Sequence, residues 1–318
     1  MGDISYENFS GVSTPMSGNP YNALIDACND NAADIQVRYE IHRTTRNKQQ
    51  LERHLDASFK GINPDPILCK LWGPSKEAGF IDPRNCLTVW ARPPKKQRDL
   101  IASIQQKLLG IAPNLWVMPP NNLHMTTLEV AHSLTADQIE SLIQKLEPKI
   151  PEITDYPMEH RARLIRPVLS FDNSALALSW VPAAGEALSD QRTSQDDAYT
   201  YHHLRRDIFD LSSSTGLNIG SRYVVPSAHL TIGRFVTHSD FQMAGTKGGE
   251  AVDPEKIKKW ISKIQEINGW LREEYWPREG ENIKAGGEWI VGEEKGLECR
   301  KGRLWYGDGE RIRLGQGF

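Results

Sequence analysis

Cysteine is scarce in this chain. Its 318 residues hold four, Cys28, Cys69, Cys86 and Cys299, with no C-x-x-C pair and no histidine at metal-ligand spacing. That excludes a disulfide scaffold, gives no sign of a zinc site, and fits a reducing compartment. A basic surplus is also missing. The 38 Lys and Arg against 41 Asp and Glu leave a net charge of −3, which argues against a broad, non-specific nucleic-acid binder. A local basic pocket for a small phosphorylated ligand or a single RNA end remains compatible with that balance. No apolar run approaches bilayer length, and no basic segment leads into an apolar one as a secretory signal requires. Met1-Gly2 is followed by Tyr6 where a myristoylation signal needs Ser or Thr. The expectation is a cytoplasmic protein, with the nucleus as the alternative, having no membrane partner and no metal. The oligomeric state is left open.

What is present is ordinary for a globular chain: 39% hydrophobic and 25% charged residues. The length suits one large domain or two smaller ones. Residues 1–19 are rich in Gly, Ser and Asn and read as a loose, flexible tail. Asn19-Pro20 opens a polar helical region reaching about Phe59, and residues 61–85 hold four prolines and read as irregular. Together 20–84 form a helical and irregular extension packed on the core. From Asn85 the pattern becomes regular. "CLTVWA" is a strand, and "KQRDLIASIQQKLLG" is a helix with Leu100, Ile101, Ile104 and Leu108 on one face and Gly110 as its stop. Thr135 and Gln138 make a capping box before a second helix. Two runs flanking Asp172-Asn173 read as a hairpin. The second half repeats the order, with Asp196 or Asp197 capping a helix through Tyr201, Leu204, Ile208 and Leu211. Ser239 to Val252 reads as a mobile linker, Asp253-Pro254 opens the last helix, and "EWIV" and "LECRKGRLWYG" close the chain as strands or a hairpin. The class is α+β with a rough internal duplication, and the two-lobed part spans 85–318. Its lobes run roughly 85–182 and 183–318, or are interleaved.

Two strands carry an unexpected pairing. In "NNLHMTTLEV", His124 and Thr126 stand two apart and so share a face; in "SAHLTIGRF", His229 and Thr231 do the same. With 9 His and 14 Thr, chance supplies roughly 0.4 such pairs. A third match, His42/Thr44 in "YEIHRTTRNK", is flanked by charge in a helical region where residues two apart do not face each other, and reads as a solvated face. The other two share an apolar strand context and a matching place in each half.

"LHMTTL" and "AHLTIG" resemble the paired His-x-Thr signature of the two-histidine phosphoesterase superfamily, which includes RNA ligase-like proteins, cyclic nucleotide phosphodiesterases and RNA-end-trimming phosphodiesterases. The resemblance spans roughly residues 85–306 and leaves the segment before 85 unexplained. It implies a bilobal fold in which two antiparallel sheets face a central cleft, one motif on a central strand of each lobe. It implies that His124, Thr126, His229 and Thr231 are catalytic. One imidazole takes a proton from the attacking oxygen and the other protonates the leaving oxygen. The Thr hydroxyls donate to the non-bridging oxygens, whose charge grows in the transition state. No metal and no cofactor is needed for that division of labour.

Trp90 ends the first strand and is the candidate for stacking a nucleobase; Trp180 and Trp305 read as core or rim. Arg92 and Arg234 are phosphate candidates, although strict alternation turns Arg234 away from His229. His202-His203 read as a solvated helical face, and Asp196-Asp197 as caps. The expected function is a metal-independent phosphodiesterase acting on a 2′,3′-cyclic phosphate, a cyclic nucleotide or an RNA or oligonucleotide end. Its rivals are a 2′,5′-phosphodiesterase or RNA-end ligase of the same fold, and a non-catalytic module that holds a nucleotide or RNA end.

Overall fold

Several helix starts, those of the α-helices beginning at Ala32, Pro66, Ala136, Tyr201 and Pro254, are set by side-chain caps. The Thr135 hydroxyl accepts from the Gln138 N–H at 3.3 Å and the Gln138 carbonyl oxygen accepts from the Thr135 N–H at 2.9 Å, the reciprocal box legible in the sequence. The Asp253 carboxylate caps the helix that begins at Pro254 by accepting from the Glu255 and Lys256 N–H groups. The helix through Tyr201 is capped by Thr200, not by Asp196 or Asp197. Asp197 is instead the buried acceptor of Arg163, at 2.6 and 3.0 Å, and Asp196 closes a local turn with Thr193.

The structure is a computed structural model that describes residues 7–13, 18–187, 192–246 and 251–318. In chain order its elements are α1 (Asn22–Ala27), α2 (Ala32–Leu55), α3 (Pro66–Leu71), β1 (Asn85–Ala91), α4 (Lys95–Leu109), β2 (Trp116–Val117), β3 (Met125–Ala131), α5 (Ala136–Leu146) and α6 (Ile150–Asp155). They continue with β4 (Arg163–Phe171), β5 (Ala175–Pro182), α7 (Tyr201–Ser213), β6 (Ala228–Arg234), α8 (Pro254–Tyr275), β7 (Trp289–Ile290), β8 (Glu298–Arg303) and β9 (Glu310–Leu314). The fold is α+β. One antiparallel sheet has the order β3-β1-β8-β9, the other β2-β6-β5-β4-β7. Among the described residues no helix is long and apolar enough to cross a membrane.

The sheets do not follow the two halves of the chain. The first takes β1 and β3 from residues 85–131 and β8 and β9 from the C-terminal end, while β4, β5 and β6 sit together in the second. The helices are exchanged as well: α4, which follows β1, covers β6, and α7, which follows β5, covers β3. A division at residue 182 therefore cuts through the second sheet. β3 lies at the edge of its sheet, not at its centre, and borders β6 across the gap between the sheets.

On β1 the alternation is clean. Leu87, Val89 and Ala91 enter the main core, whereas Cys86 and Trp90 form a small separate cluster with Leu304 on the opposite face. Leu100, Ile101, Ile104 and Leu108 of α4 are all buried, each contributing about 1.5–3 kcal/mol of apolar transfer. The N-terminal residues are not loose where they are described. Asn19 donates to the Arg206 carbonyl and to Asp210, and Phe9 N–H donates to His42 at 3.2 Å; residues 1–6 and 14–17 lie outside the described residues. The expected linker is likewise paired at its ends, through a Gln242–Val252 bridge, while its residues 247–250 lie outside the described residues. Strand β9 ("ERIRL") was not expected, because its alternating charges hide a short edge strand.

Candidate active site

His124 directly precedes β3, and His229 and Thr231 lie on β6. These two histidines, with Thr126 and Thr231, line one cleft together with Thr88 and Trp90 of β1.

His124 is held from two sides. Its Nδ1 lies 2.7 Å from the Asn122 carbonyl oxygen. A carbonyl only accepts, so Nδ1 carries the proton and Nε2 keeps its lone pair. Its ring stacks on Trp90 with centroids 3.8 Å apart and planes 18° from parallel. The loop that delivers it is anchored by Arg92, which donates to the Asn121 and Leu123 carbonyls and to buried Glu298. Gly307 packs so closely that a Cβ there would sit 2.4 Å from Asn122 atoms, and its φ of +82° suits glycine alone. Burial pushes the His124 pKa down to about 3, with the Asn122 bond opposing and the Arg92 and Arg300 charges adding.

His229 is held differently. Its Nδ1 lies 2.9 Å from the Ser227 hydroxyl, a group that can donate or accept. Burial lowers its pKa to about 4, and the charges of Arg46 and Arg205 add to this. Each imidazole keeps an edge at the cleft but is otherwise enclosed by protein, which is why desolvation dominates both shifts.

A β-bulge follows each motif. Across from the Trp90–Val89 step of β1, β3 passes from Thr126 to Leu128, with Thr127 the extra residue. Across from the Ala177–Leu176 step of β5, β6 passes from Thr231 to Gly233, with Ile232 the extra residue. An inserted residue reverses the alternation beyond it. The third side chain after each Thr, Glu129 on β3 and Arg234 on β6, is thereby turned into the cleft. Strict alternation had placed Arg234 on the far face; the bulge is the physical reason it is not there. No local sequence signal announces either bulge.

Several expected roles change. Trp90 is 1% exposed and is covered by His124, with the Arg92 and Arg300 guanidinium carbons 4.8 and 5.3 Å from its ring centroid. It supports a histidine and offers no open face to a base. Arg92 is committed to Glu298 and the His124 loop rather than to a ligand. His42 is buried in α2 and accepts the Phe9 N–H, because that face of α2 lies on the protein rather than in solvent. His202 is buried between the Tyr39 hydroxyl (2.9 Å) and the Tyr21 carbonyl (3.0 Å), and His203 between Thr200 and Asp30. Neither forms a solvated face, since the N-terminal segment covers α7. Trp180 is core, and half-buried Trp305 lines the cleft, as do Tyr223 and Cys86, which sequence reasoning had not marked. Among the described residues no group of three or more His, Cys, Asp or Glu is arranged around a metal position.

No family model matches the chain, and no curated protein matches it. Among solved structures, it is similar to a conserved protein of unknown function from Agrobacterium tumefaciens at 14% identity, over 83% of this chain and 97% of that one, with a TM-score of 0.47.

Proposed function

We propose that this chain is a metal-independent phosphodiesterase of the two-histidine kind, acting on a 2′,3′-cyclic phosphate, a cyclic nucleotide or an RNA or oligonucleotide end. The observation that carries the reading is the meeting of His124, Thr126, His229 and Thr231 in one cleft, although 105 residues separate the two motifs (229 − 124). Two proton-transfer groups flanked by two hydroxyl donors are the set that cleavage of a phosphodiester needs.

In this mechanism His124 is the base, since its Nε2 lone pair is fixed by the Asn122 carbonyl. Nε2 takes the proton of a water molecule as its oxygen attacks phosphorus. The bond from phosphorus to the leaving ribose oxygen breaks, and protonated His229 gives that oxygen its Nε2 proton. The Thr126 and Thr231 hydroxyls donate to the non-bridging oxygens. The two imidazoles then exchange their protons with solvent to restore the starting state.

The test is turnover by the purified chain against cyclic nucleotides, 2′,5′-linked dinucleotides and defined RNA ends, with EDTA present. Hydrolysis of a diester that survives EDTA and disappears in His124→Ala and His229→Ala supports the reading. Tight binding of the same ligands with no turnover by the parent protein would replace it with a binding module, and joining of RNA ends would replace it with a ligase.

A further inference from the structure

The two flanks of the cleft are built alike and charged differently. Each motif strand sends a third side chain inward after its bulge, Glu129 from β3 and Arg234 from β6. Glu129 is closed off by Arg222, which donates to it from Nε at 2.9 Å, Nη2 at 2.6 Å and the backbone N–H at 3.3 Å. Arg234 is held far more lightly. Its Nη1 donates to Asp65 Oδ2 at 3.2 Å, and its Nε is buried with no partner. The other oxygen of Asp65 accepts from the Tyr306 hydroxyl and from the Ile67 and Leu68 N–H groups, as the cap of α3. By contrast Arg84, over the Trp305 ring at 4.1 Å, is bidentate to Asp82 at 2.8 and 2.7 Å. On the β1 wall of the same cleft Thr88, 4% exposed, holds a buried hydroxyl with no partner.

Most buried donors in native proteins are satisfied, and one left open on a cleft wall is free to meet an acceptor that a ligand brings. A guanidinium fork matches the oxygens of a phosphate. The two His-x-Thr pairs already account for the phosphodiester undergoing reaction, and Arg234 lies one step further along β6.

We propose that Arg234 receives a second phosphate of the substrate, beside the phosphodiester held by the two His-x-Thr pairs. This rests on the phosphodiesterase reading of the cleft and narrows it: the substrate is a nucleotide or oligonucleotide end with at least two phosphate groups. The second phosphate lies on the β6 flank, because the β3 flank holds a Glu129–Arg222 pair whose guanidinium is already taken up by the carboxylate. Asp65, which orients the guanidinium, comes from the segment before residue 85, so that segment takes part in selecting the ligand.

The experiment is calorimetric titration of the full chain with adenosine 3′,5′-bisphosphate and with adenosine 3′-monophosphate. The parent protein binds the bisphosphate roughly 10–100-fold more tightly, the worth of a charge-assisted contact. Arg234→Met brings the ratio close to one, and Arg234→Lys restores part of it, since an ammonium keeps the charge and loses the fork. Thermal melts of both variants establish that they fold, and the Lys variant carries the comparison if the Met variant does not. Equal affinities in the parent, an unchanged ratio in Arg234→Met, or no binding of either ligand overturns the proposal. A bisphosphate preference that depends on Arg234, in a protein that turns over no diester, sinks the phosphodiesterase reading and leaves the anion site standing.

Discussion

Arg205 of α7 donates through Nε to the carbonyl of Thr127 at 3.3 Å, the extra residue in the bulge of β3. The same guanidinium donates to the Val225 carbonyl at 2.8 Å and the Tyr21 hydroxyl at 3.1 Å, tying β3 to the segment that enters β6. On the other strand Gln105 of α4 donates to the carbonyl of Ile232, the extra residue of β6, and to that of Met118, both at 2.9 Å. A buried side chain from each of the two exchanged helices thus donates to a bulge carbonyl, and the Ile232 carbonyl also accepts the Met118 N–H at 2.9 Å.

Replacing these side chains should therefore disturb the site as well as the fold. Arg205→Met takes away the side-chain donor to the Thr127 carbonyl, whereas Gln105→Met leaves the Ile232 carbonyl its Met118 N–H donor; at about 1–3 kcal/mol for a group left open, Arg205→Met should be the worse. Denaturant midpoints give the stability loss. Turnover measured well below the midpoint should fall too, because the bulges aim Glu129 and Arg234. Full turnover by a destabilised Arg205→Met protein would show that the bridge matters only to stability.

How much of this was legible beforehand differs by element. The capping box at Thr135, the apolar face of α4 and the hairpin at Asp172 follow from local rules, and the structure contains them. The two His-x-Thr pairs were visible because their side chains and spacing are unusual in apolar strands. The bulges were not, since nothing at Thr127 or Ile232 differs from ordinary strand sequence, and with them went the placement of Glu129 and Arg234. The place of Trp90 under His124 is not legible in the sequence, because that stacking joins β1 to the residue that precedes β3. His202 was misjudged because α7 has a second partner, α1, whose approach no periodicity in α7 reveals.

His124→Ala and His229→Ala should each reduce turnover by about 10²–10⁴-fold, the usual contribution of a positioned acid or base. Thr126→Val and Thr231→Val should cost less, at or below the roughly 2.7–4 kcal/mol of one oxyanion donor. All four side chains border the cleft, so melting temperatures at neutral pH should change little. Steady-state kinetics beside thermal melts checks both halves. Parental rates in both His variants would end the acid–base assignment.

Trp90 separates a positioning role from a base-stacking one. Because His124 lies on its ring, Trp90→Leu should lower kcat while changing KM for a nucleotide substrate little, and Trp90→Phe should recover part of the rate. A large rise in KM with kcat preserved is the pattern of a lost stacking surface, and would contradict the burial argument.

The alkaline limb of the rate profile should move when substrate binds. In the free protein the cleft histidines sit near 3 and 4, so the protonated acid becomes scarce as pH rises toward neutrality. A bound phosphodiester brings negative charge beside both rings and raises their pKa values. The alkaline limb of kcat/KM, which reports the free protein, should then lie at lower pH than the limb of kcat, which reports the complex. The two limbs belong to the coupled pair rather than to single residues. Coincident limbs would mean that the ligand does not touch the histidines.

The same shifts fix how stability depends on acidity. Burial depresses His42 and His229 to about 4 and His124 and His202 to about 3, against about 6.5 in an unfolded chain. Between those values the unfolded state binds more protons than the folded one, so stability rises with pH there. The contribution is fully present above pH 6.5 and is lost as pH falls toward 4 and then 3. Urea midpoints at pH 7.5, 6.5 and 5.5 should fall in that order, over a range that stays above the main titration of the carboxylates. In a protein with both His124→Ala and His229→Ala the fall should be shallower, because two of the six rings that burial depresses, His54 and His203 among them, no longer oppose protonation. A parental slope in that variant would show that the cleft imidazoles are not the desolvated groups described here.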